Sequence, residues 1–301
     1  MLTVRFWGVR GSLPSPGPNT VVYGGNTSCL EIRADERLFI IDLGTGIHPL
    51  GEWLIQNDLK KKGKIKADIF LTHTHWDHII GFPMFNPIYV PGTELKITGP
   101  VSLENESLKA IIDSQMSHKY WPVRADELSA KIEYNQIKEE TLDMGEGLTI
   151  TSKFLNHPIF CLGYRFNYQG KSIATVYDHE PFHNLFKSNP REGDCDKETA
   201  EEGEAAAAEE NEKIRRFIKG ADIVIHDAQY KQEEYSGHVG WGHCSYESAV
   251  QTTAGLDLKK LVLFHHEPSR TDSQLEQIEK SYAKNKSPKV IIAKEGMTLE
   301  A

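Results

Sequence analysis

The chain has 301 residues, 39% of them hydrophobic, enough for one large α/β domain or two small ones around a sizeable core. No run of about 18 apolar residues occurs, which excludes a membrane-spanning helix. The net charge is −9, and ten acidic against two basic residues between Arg191 and Glu212 account for eight of those charges, so the basic footprint of a large nucleic-acid partner is missing while a small anionic substrate held at metal ions stays compatible.

Residues 1–7 lack the charged start and apolar run of an export signal, and the cytoplasm is the expected location. Cys29, Cys161, Cys195 and Cys244 form no CxxC pair and read as inert thiols in a reducing compartment.

In chain order, residues 3–7 read as a short strand, Gly24-Gly25-Asn26-Thr27 as a turn, and 28–33 as a second strand. Leu38-Phe39-Ile40-Ile41-Asp42 is an apolar run ending in an acid, followed by the tight turn Gly44-Thr45-Gly46 and a helix over 47–57. A short buried strand over 67–71 leads into His73-Thr74-His75-Trp76-Asp77-His78. The strand over 148–155 runs into Asn156-His157-Pro158. Residues 162–168 and 171–177 form a hairpin about Gln169-Gly170 that closes on Asp178. An acidic Ala/Glu-rich insertion follows at about 188–213, with a helix over 198–219 whose start is solvated and whose end is apolar at Ile214, Phe217 and Ile218. It reads as a surface insertion, with a cap over the active site as the other reading. Strands over 223–225, 261–264 and 290–293 complete the pattern, the first two preceding His226-Asp227 and His265-His266.

Short apolar strands thus end repeatedly in His or Asp, which points to ligands converging on one edge of a sheet core. In extended backbone, residues two apart point the same way, so His73 and His75 can share one metal while Asp77 and His78, beyond the turn, face a second. Imidazole and carboxylate suit zinc, and also manganese or iron.

His73-x-His75-x-Asp77-His78 resembles the signature motif of the metallo-β-lactamase superfamily, and Ile41-Asp42-Leu43-Gly44-Thr45-Gly46 resembles its early strand and turn. The resemblance implies an αββα sandwich, two β-sheets flanked by helices, as a single hydrolase domain over 1–301 that carries two divalent ions, zinc foremost. It implies His73, His75 and His157 on one metal, Asp77, His78 and His265 on the other, and Asp178 bridging both. His266 competes with His265 as the last ligand and otherwise stands beside the substrate, while Asp42 supports a ligand through a hydrogen bond. A water shared by the metals would be hydroxide near neutral pH, the nucleophile.

Ile225-His226-Asp227-Ala228 and Gly242-His243-Cys244-Ser245 are similar to two motifs of the tRNase Z-like phosphodiesterase branch, the second opening a helix over 245–254. On this reading His243 protonates the leaving alkoxide, Asp227 orients His243, and His226 is a further catalytic candidate, with a structural strand-end histidine as its alternative. Arg5-Phe6-Trp7-Gly8-Val9-Arg10-Gly11-Ser12 resembles phosphoribosyl cyclic phosphodiesterase-like hydrolases, which makes Arg10 a candidate phosphate holder. His118-Lys119-Tyr120-Trp121-Pro122 is a candidate contact for a base or sugar. The leading expectation is a phosphodiesterase of small or cyclic phosphodiesters, such as a cyclic nucleotide or cyclic phosphoribose. The alternatives are a thioester, lactone or β-lactam hydrolase, a tRNase Z-like endoribonuclease, and a noncatalytic metal-binding sensor. The sequence leaves the oligomeric state open, a homodimer being the commonest closed assembly.

Overall fold

The computed structural model describes residues 1–188, 197–285 and 287–301. Among these, one sheet contains β1 (Leu2–Gly8), β2 (Cys29–Ala34), β3 (Arg37–Ile41), β4 (Lys66–Phe70), β5 (Glu94–Pro100) and β6 (Lys131–Ile137). The other contains β7 (Thr141–Asp143), β8 (Leu148–Leu155), β9 (Cys161–Tyr168), β10 (Lys171–Val176), β11 (Ile223–Asp227), β12 (Lys260–Phe264) and β13 (Lys289–Ile292), while β14 (Thr298–Glu300) returns to the first sheet. The spatial orders are β14-β1-β2-β3-β4-β5-β6 and β13-β12-β11-β10-β9-β8-β7.

Three apolar layers hold the sandwich. Between the sheets, Phe6, Phe39, Phe70, Phe166 and Phe264 are all buried, and Phe39–Phe166 and Phe70–Tyr164 meet edge-on at 5.5 and 5.1 Å. On the outer side of the first sheet, Leu50 and Leu54 of the helix Ile47–Leu54 cluster with Ile40, Ile69 and Ile97. Outside the second, Ile214, Ile218, Tyr246, Ala249 and Leu275 cluster with Val224, Leu261 and Leu263. Strands covered on both faces must be apolar throughout, which is why 38–41 and 261–264 show no alternation. This is the αββα architecture that the motif implies.

The direction of the strands places the chemistry. β3 to β6 run parallel to one another, as do β10 to β13. Their carboxyl ends therefore share an edge within each sheet, where open α/β sheets form their crevices. The hairpin about Gln169-Gly170 has the expected pairing of Lys171 with Tyr168.

Several elements differ from the sequence reading. The helix from Ile47 passes through a π turn at Ile55–Leu59 and ends beyond Lys60–Lys62 at Gly63, whose φ of 70° stops it. β5, β6, β7 and β14, and the helices Leu108–Ser114 and Asp272–Tyr282, lack long apolar runs, so the sequence pattern does not announce them. Of the acidic insertion at 188–213, residues 189–196, Cys195 among them, lie outside the described residues; Ser188 ends the short helix Leu185–Ser188, and 197–213 belongs to the helix Lys197–Ile218. No helix among the described residues is long and apolar enough to cross a membrane.

Candidate metal centre

Four strand ends and one short helix deliver the expected residues to one place. β4 leads to His73 and His75, the short helix Trp76–Ile79 carries Asp77 and His78, and β8, β10 and β12 end next to His157, Asp178 and His265. Two sets form there, His73 with His75, His157 and Asp178, and Asp77 with His78, Asp178 and His265; within each set the facing atoms lie within 4.8 Å of one another. Asp178 belongs to both. It and His265 adopt φ of 33° and 62°, as Asp42 does at 63°. Left-handed backbone costs a residue with a Cβ on the order of 1–3 kcal/mol and persists only where the surroundings enforce it. Here it turns the side chain at the end of a strand toward the neighbouring sheet.

The donor set fits cations. Nε2 of His73 and of His78 lie 3.4 and 3.2 Å from Asp178 Oδ2. Neither has hydrogen-bond geometry, and both nitrogens and Asp178 Oδ1 are buried without a hydrogen-bond partner among the described residues. Unpaired buried acceptors are costly unless something positive sits between them. The outer nitrogens, by contrast, are tied down. His78 Nδ1 donates to Asp42 Oδ2 at 2.7 Å, and His157 Nδ1 donates to the Gly242 carbonyl at 3.0 Å. Each of these bonds fixes the tautomer and turns Nε2 inward as a ligand atom. Burial pushes the His157 imidazole down to about 4 and lowers His73 and His75 as well, so this trio is neutral and ready to ligate. Burial works to raise the Asp77 carboxyl, but His78 and His265 hold it well below the usual carboxylate range.

His243 stands beside the second set. Its Nδ1 donates to Asp227 Oδ2 at 2.6 Å, and its ring stacks on His265 at 4.9 Å and 18°. Burial disfavours the imidazolium, yet the Asp227 charge and hydrogen bond outweigh it and raise the group to about 9. Asp178, Asp227, His243 and His265 make a third set that could hold a cation. Ser245 caps the helix Tyr246–Thr253, accepting from Ser248 N at 3.0 Å, and so anchors the segment that carries His243.

Four expected residues stand elsewhere. Arg10 is fully buried and donates to the carbonyls of Gly24, Arg270 and Glu267 at 2.7, 2.6 and 3.3 Å, so its guanidinium joins loops and offers no surface to solvent. His266 is also fully buried and donates Nε2–H to the Ala293 carbonyl at 2.8 Å, which settles it away from the site where His265 faces in. His226 alternates with Asp227 along β11 and points to the opposite face, with its ring 6.0 Å from His179 and Nδ1 on the Asp227 carbonyl at 2.8 Å. His118 lines a surface hollow with Lys109, Asp113 and Lys119, and none of the clustered ligands lines that hollow.

The sequence reading also missed supports. Glu180, 2% exposed, accepts from Gly240 N at 2.9 Å, Gly242 N at 3.0 Å and Tyr235 Oη at 2.7 Å. It thereby fixes the loop that holds His157 and carries His243. Gln229 bridges Ser12 Oγ and His265 Nδ1 at 3.3 and 3.2 Å, and Ser12 N donates to Asp77 Oδ2 at 2.7 Å. Thr72 N donates to Asp42 Oδ1 at 2.8 Å. The one available signal was position, since Glu180 and Gln229 each follow a singled-out aspartate by two residues. Gly11 and Gly242 are sites of close approach, because a Cβ would meet the His265 ring at 2.3 Å and His157 Nδ1 at 2.2 Å.

Comparison with known proteins agrees with this geometry. Residues 22–105, which include the His73–His78 run, match the family model described as "Metallo-beta-lactamase superfamily". A ribonuclease Z of Lactococcus lactis subsp. lactis (strain IL1403) is 25% identical over 291 residues, covering 88% of each chain. Among solved structures, the metallo-β-lactamase fold protein YhfI from Bacillus subtilis superposes with a TM-score of 0.66 at 17% identity, over 100% of this chain and 99% of that one. A diphosphatase from the PhnP family reaches 0.62 at 16% identity, over 100% and 98%. In this fold, in this arrangement of His and Asp and in the match over the signature run, the chain is similar to the metallo-β-lactamase superfamily and has its fold.

Proposed function

We propose that the protein is a metal-dependent phosphodiesterase acting in the cytoplasm on a small or cyclic phosphodiester. The observation that carries this reading is the Asp227–His243 pair at 2.6 Å, placed against His265 at the edge of the ligand cluster. His73, His75, His157 and Asp178 would hold one divalent ion, and Asp77, His78, Asp178 and His265 the other, zinc in this reading, with manganese or iron suited to the same donors. Such ions, when bound, supply Lewis-acid stabilisation of phosphoryl charge and make water nucleophilic near neutral pH.

The chain's own residues do the rest. Asp227 holds His243 through Nδ1, which leaves Nε2 as the atom that hands a proton to the departing alkoxide. Without such a donor the alkoxide of a phosphodiester leaves poorly, whereas the thiolate of a thioester needs no such help. A residue in this role therefore favours the phosphodiester.

The test is hydrolysis of bis-p-nitrophenyl phosphate and of a cyclic nucleotide by protein loaded with zinc or manganese. Turnover of thioesters or lactones with no phosphodiester cleavage would refute the reading. The likeness to a ribonuclease Z over 88% of both chains supports a second substrate, RNA. The acidic residues of the helix Lys197–Ile218 oppose a phosphate-rich partner. Cleavage of a precursor tRNA faster than of the small diesters would favour RNA.

A further inference from the structure

A cleft of about 270 Å³ opens beside His157, lined by Pro158, Phe182, His183, Leu185 and the backbone of Gly240 and Gly242. His157, one of the clustered residues, is among its lining residues, so the cleft adjoins the metal centre. Its walls are mostly apolar. Leu185 is 69% exposed and Trp241, between the two lining glycines, is 60% exposed. Large apolar groups held open next to a charged centre point to a ligand with both characters. His183 adds a polar tip, since its Nδ1 is buried without a hydrogen-bond partner among the described residues and lies 4.0 Å from Glu180 Oε1.

The wall is held by the acidic helix. Asn211 clasps Phe182 at both backbone groups, accepting from its N–H at 2.9 Å and donating to its carbonyl at 2.8 Å. Asn184 donates to the Ala200 carbonyl at 2.7 Å. Gly203 gives the room, because a Cβ there would meet Asn184 Oδ1 at 2.4 Å and Phe186 at 2.7 Å. Lys197–Ile218 is thus fitted to the segment that faces the cleft.

From this, and resting on the phosphodiesterase reading above, we infer that the cleft is the specificity site for one planar aromatic ring system of the ester, stacked on Phe182, with the phosphate at the metal centre. Its volume lies below the usual range for sites of drug-sized ligands, which suits one base-sized group and not an oligonucleotide. The helix Lys197–Ile218 acts as a positioning element, through Asn211.

Calorimetric binding of phenyl phosphate and methyl phosphate to metal-loaded protein tests this, since the two share the phosphate and differ in the ring. Phenyl phosphate binds about tenfold tighter in the native protein. Phe182→Ala brings the ratio near one with the methyl phosphate Kd unchanged, Phe182→Leu gives an intermediate ratio, and Asn211→Ala lowers it without touching ligand. A ratio near one in the native protein, or one that none of the variants changes, overturns the inference while bis-p-nitrophenyl phosphate is still hydrolysed. Failure to bind either phosphate together with failure to cleave the diester overturns the functional reading and this inference with it.

Discussion

The Asp42 carboxylate accepts a 2.7 Å hydrogen bond from Nδ1 of His78, joining the end of β3 to the histidine-rich run 36 positions later. Asp42 also accepts from Thr72 N and from Ser28 Oγ, at 2.8 and 3.0 Å. Asp42→Asn should therefore free the His78 ring and weaken metal binding about 10- to 100-fold. Competition with a chromophoric chelator measures it, and an unchanged affinity would remove Asp42 from the support of the centre.

Removing metal should cost stability. A cation at 100 times its Kd adds about 2.7 kcal/mol to the folded state. Calorimetric melting with and without zinc should show the corresponding drop in Tm on chelation. In Asp178→Ala, which lies in both sets, zinc should shift Tm little. An equal shift in the variant would mean that the ions bind elsewhere.

His243→Ala should lower kcat for phosphodiesters about 10²- to 10⁴-fold with metal content intact. Asp227→Asn should follow in the same direction, because it loses the 2.6 Å bond that sets the imidazole. Elemental analysis beside the kinetics separates the roles. Loss of metal in His243→Ala would make His243 a ligand, as the third set of facing atoms allows.

Glu180→Gln should loosen the loop from Gly240 to His243, since an amide accepts these three bonds less well than a carboxylate. The expected result is faster hydrogen exchange over this loop and a several-fold fall in kcat with zinc content retained. Exchange rates equal to those of the native protein would show that the clasp is dispensable.

Arg10→Met should destabilise the fold and leave phosphate binding unchanged. Each buried carbonyl left without its donor costs about 1–3 kcal/mol, and three are involved. Urea unfolding reads the loss. Weaker phosphate binding at unchanged stability would return Arg10 to the substrate.

Much of the centre is legible in the sequence because local rules apply to it. A buried apolar strand that stops at a histidine or aspartate is visible in one dimension, and six of the seven clustered candidate ligands follow such runs or share the His73–His78 segment, Asp178 closing its hairpin in the same way. Strand alignment also favours His265 over His266; in the structure His265 Nε2 lies 3.2 Å from Asp77 Oδ2, while His266 Nε2 donates to the Ala293 carbonyl at 2.8 Å. The structure departs from the sequence reading where sequence neighbours part company. His226 and Asp227 are adjacent, yet alternation along β11 sends one inward to the core and the other to the site. Arg10 lies two residues from Ser12, which touches Asp77, but loops from distant segments cover its guanidinium.

By itself, the sequence determined the strand-ending ligand runs, the donor chemistry and the two-sided apolar strands, since these depend on residue type and short-range periodicity. Only the tertiary structure decided what surrounds them. Glu180 clasps a loop some 60 positions away, Asn211 clasps Phe182 from the acidic helix, and Arg10 meets carbonyls more than 250 positions on. Such contacts pair ordinary polar side chains with backbone groups, which carry no residue-type signature, so the meeting of distant segments is set by sheet packing and not by any local pattern.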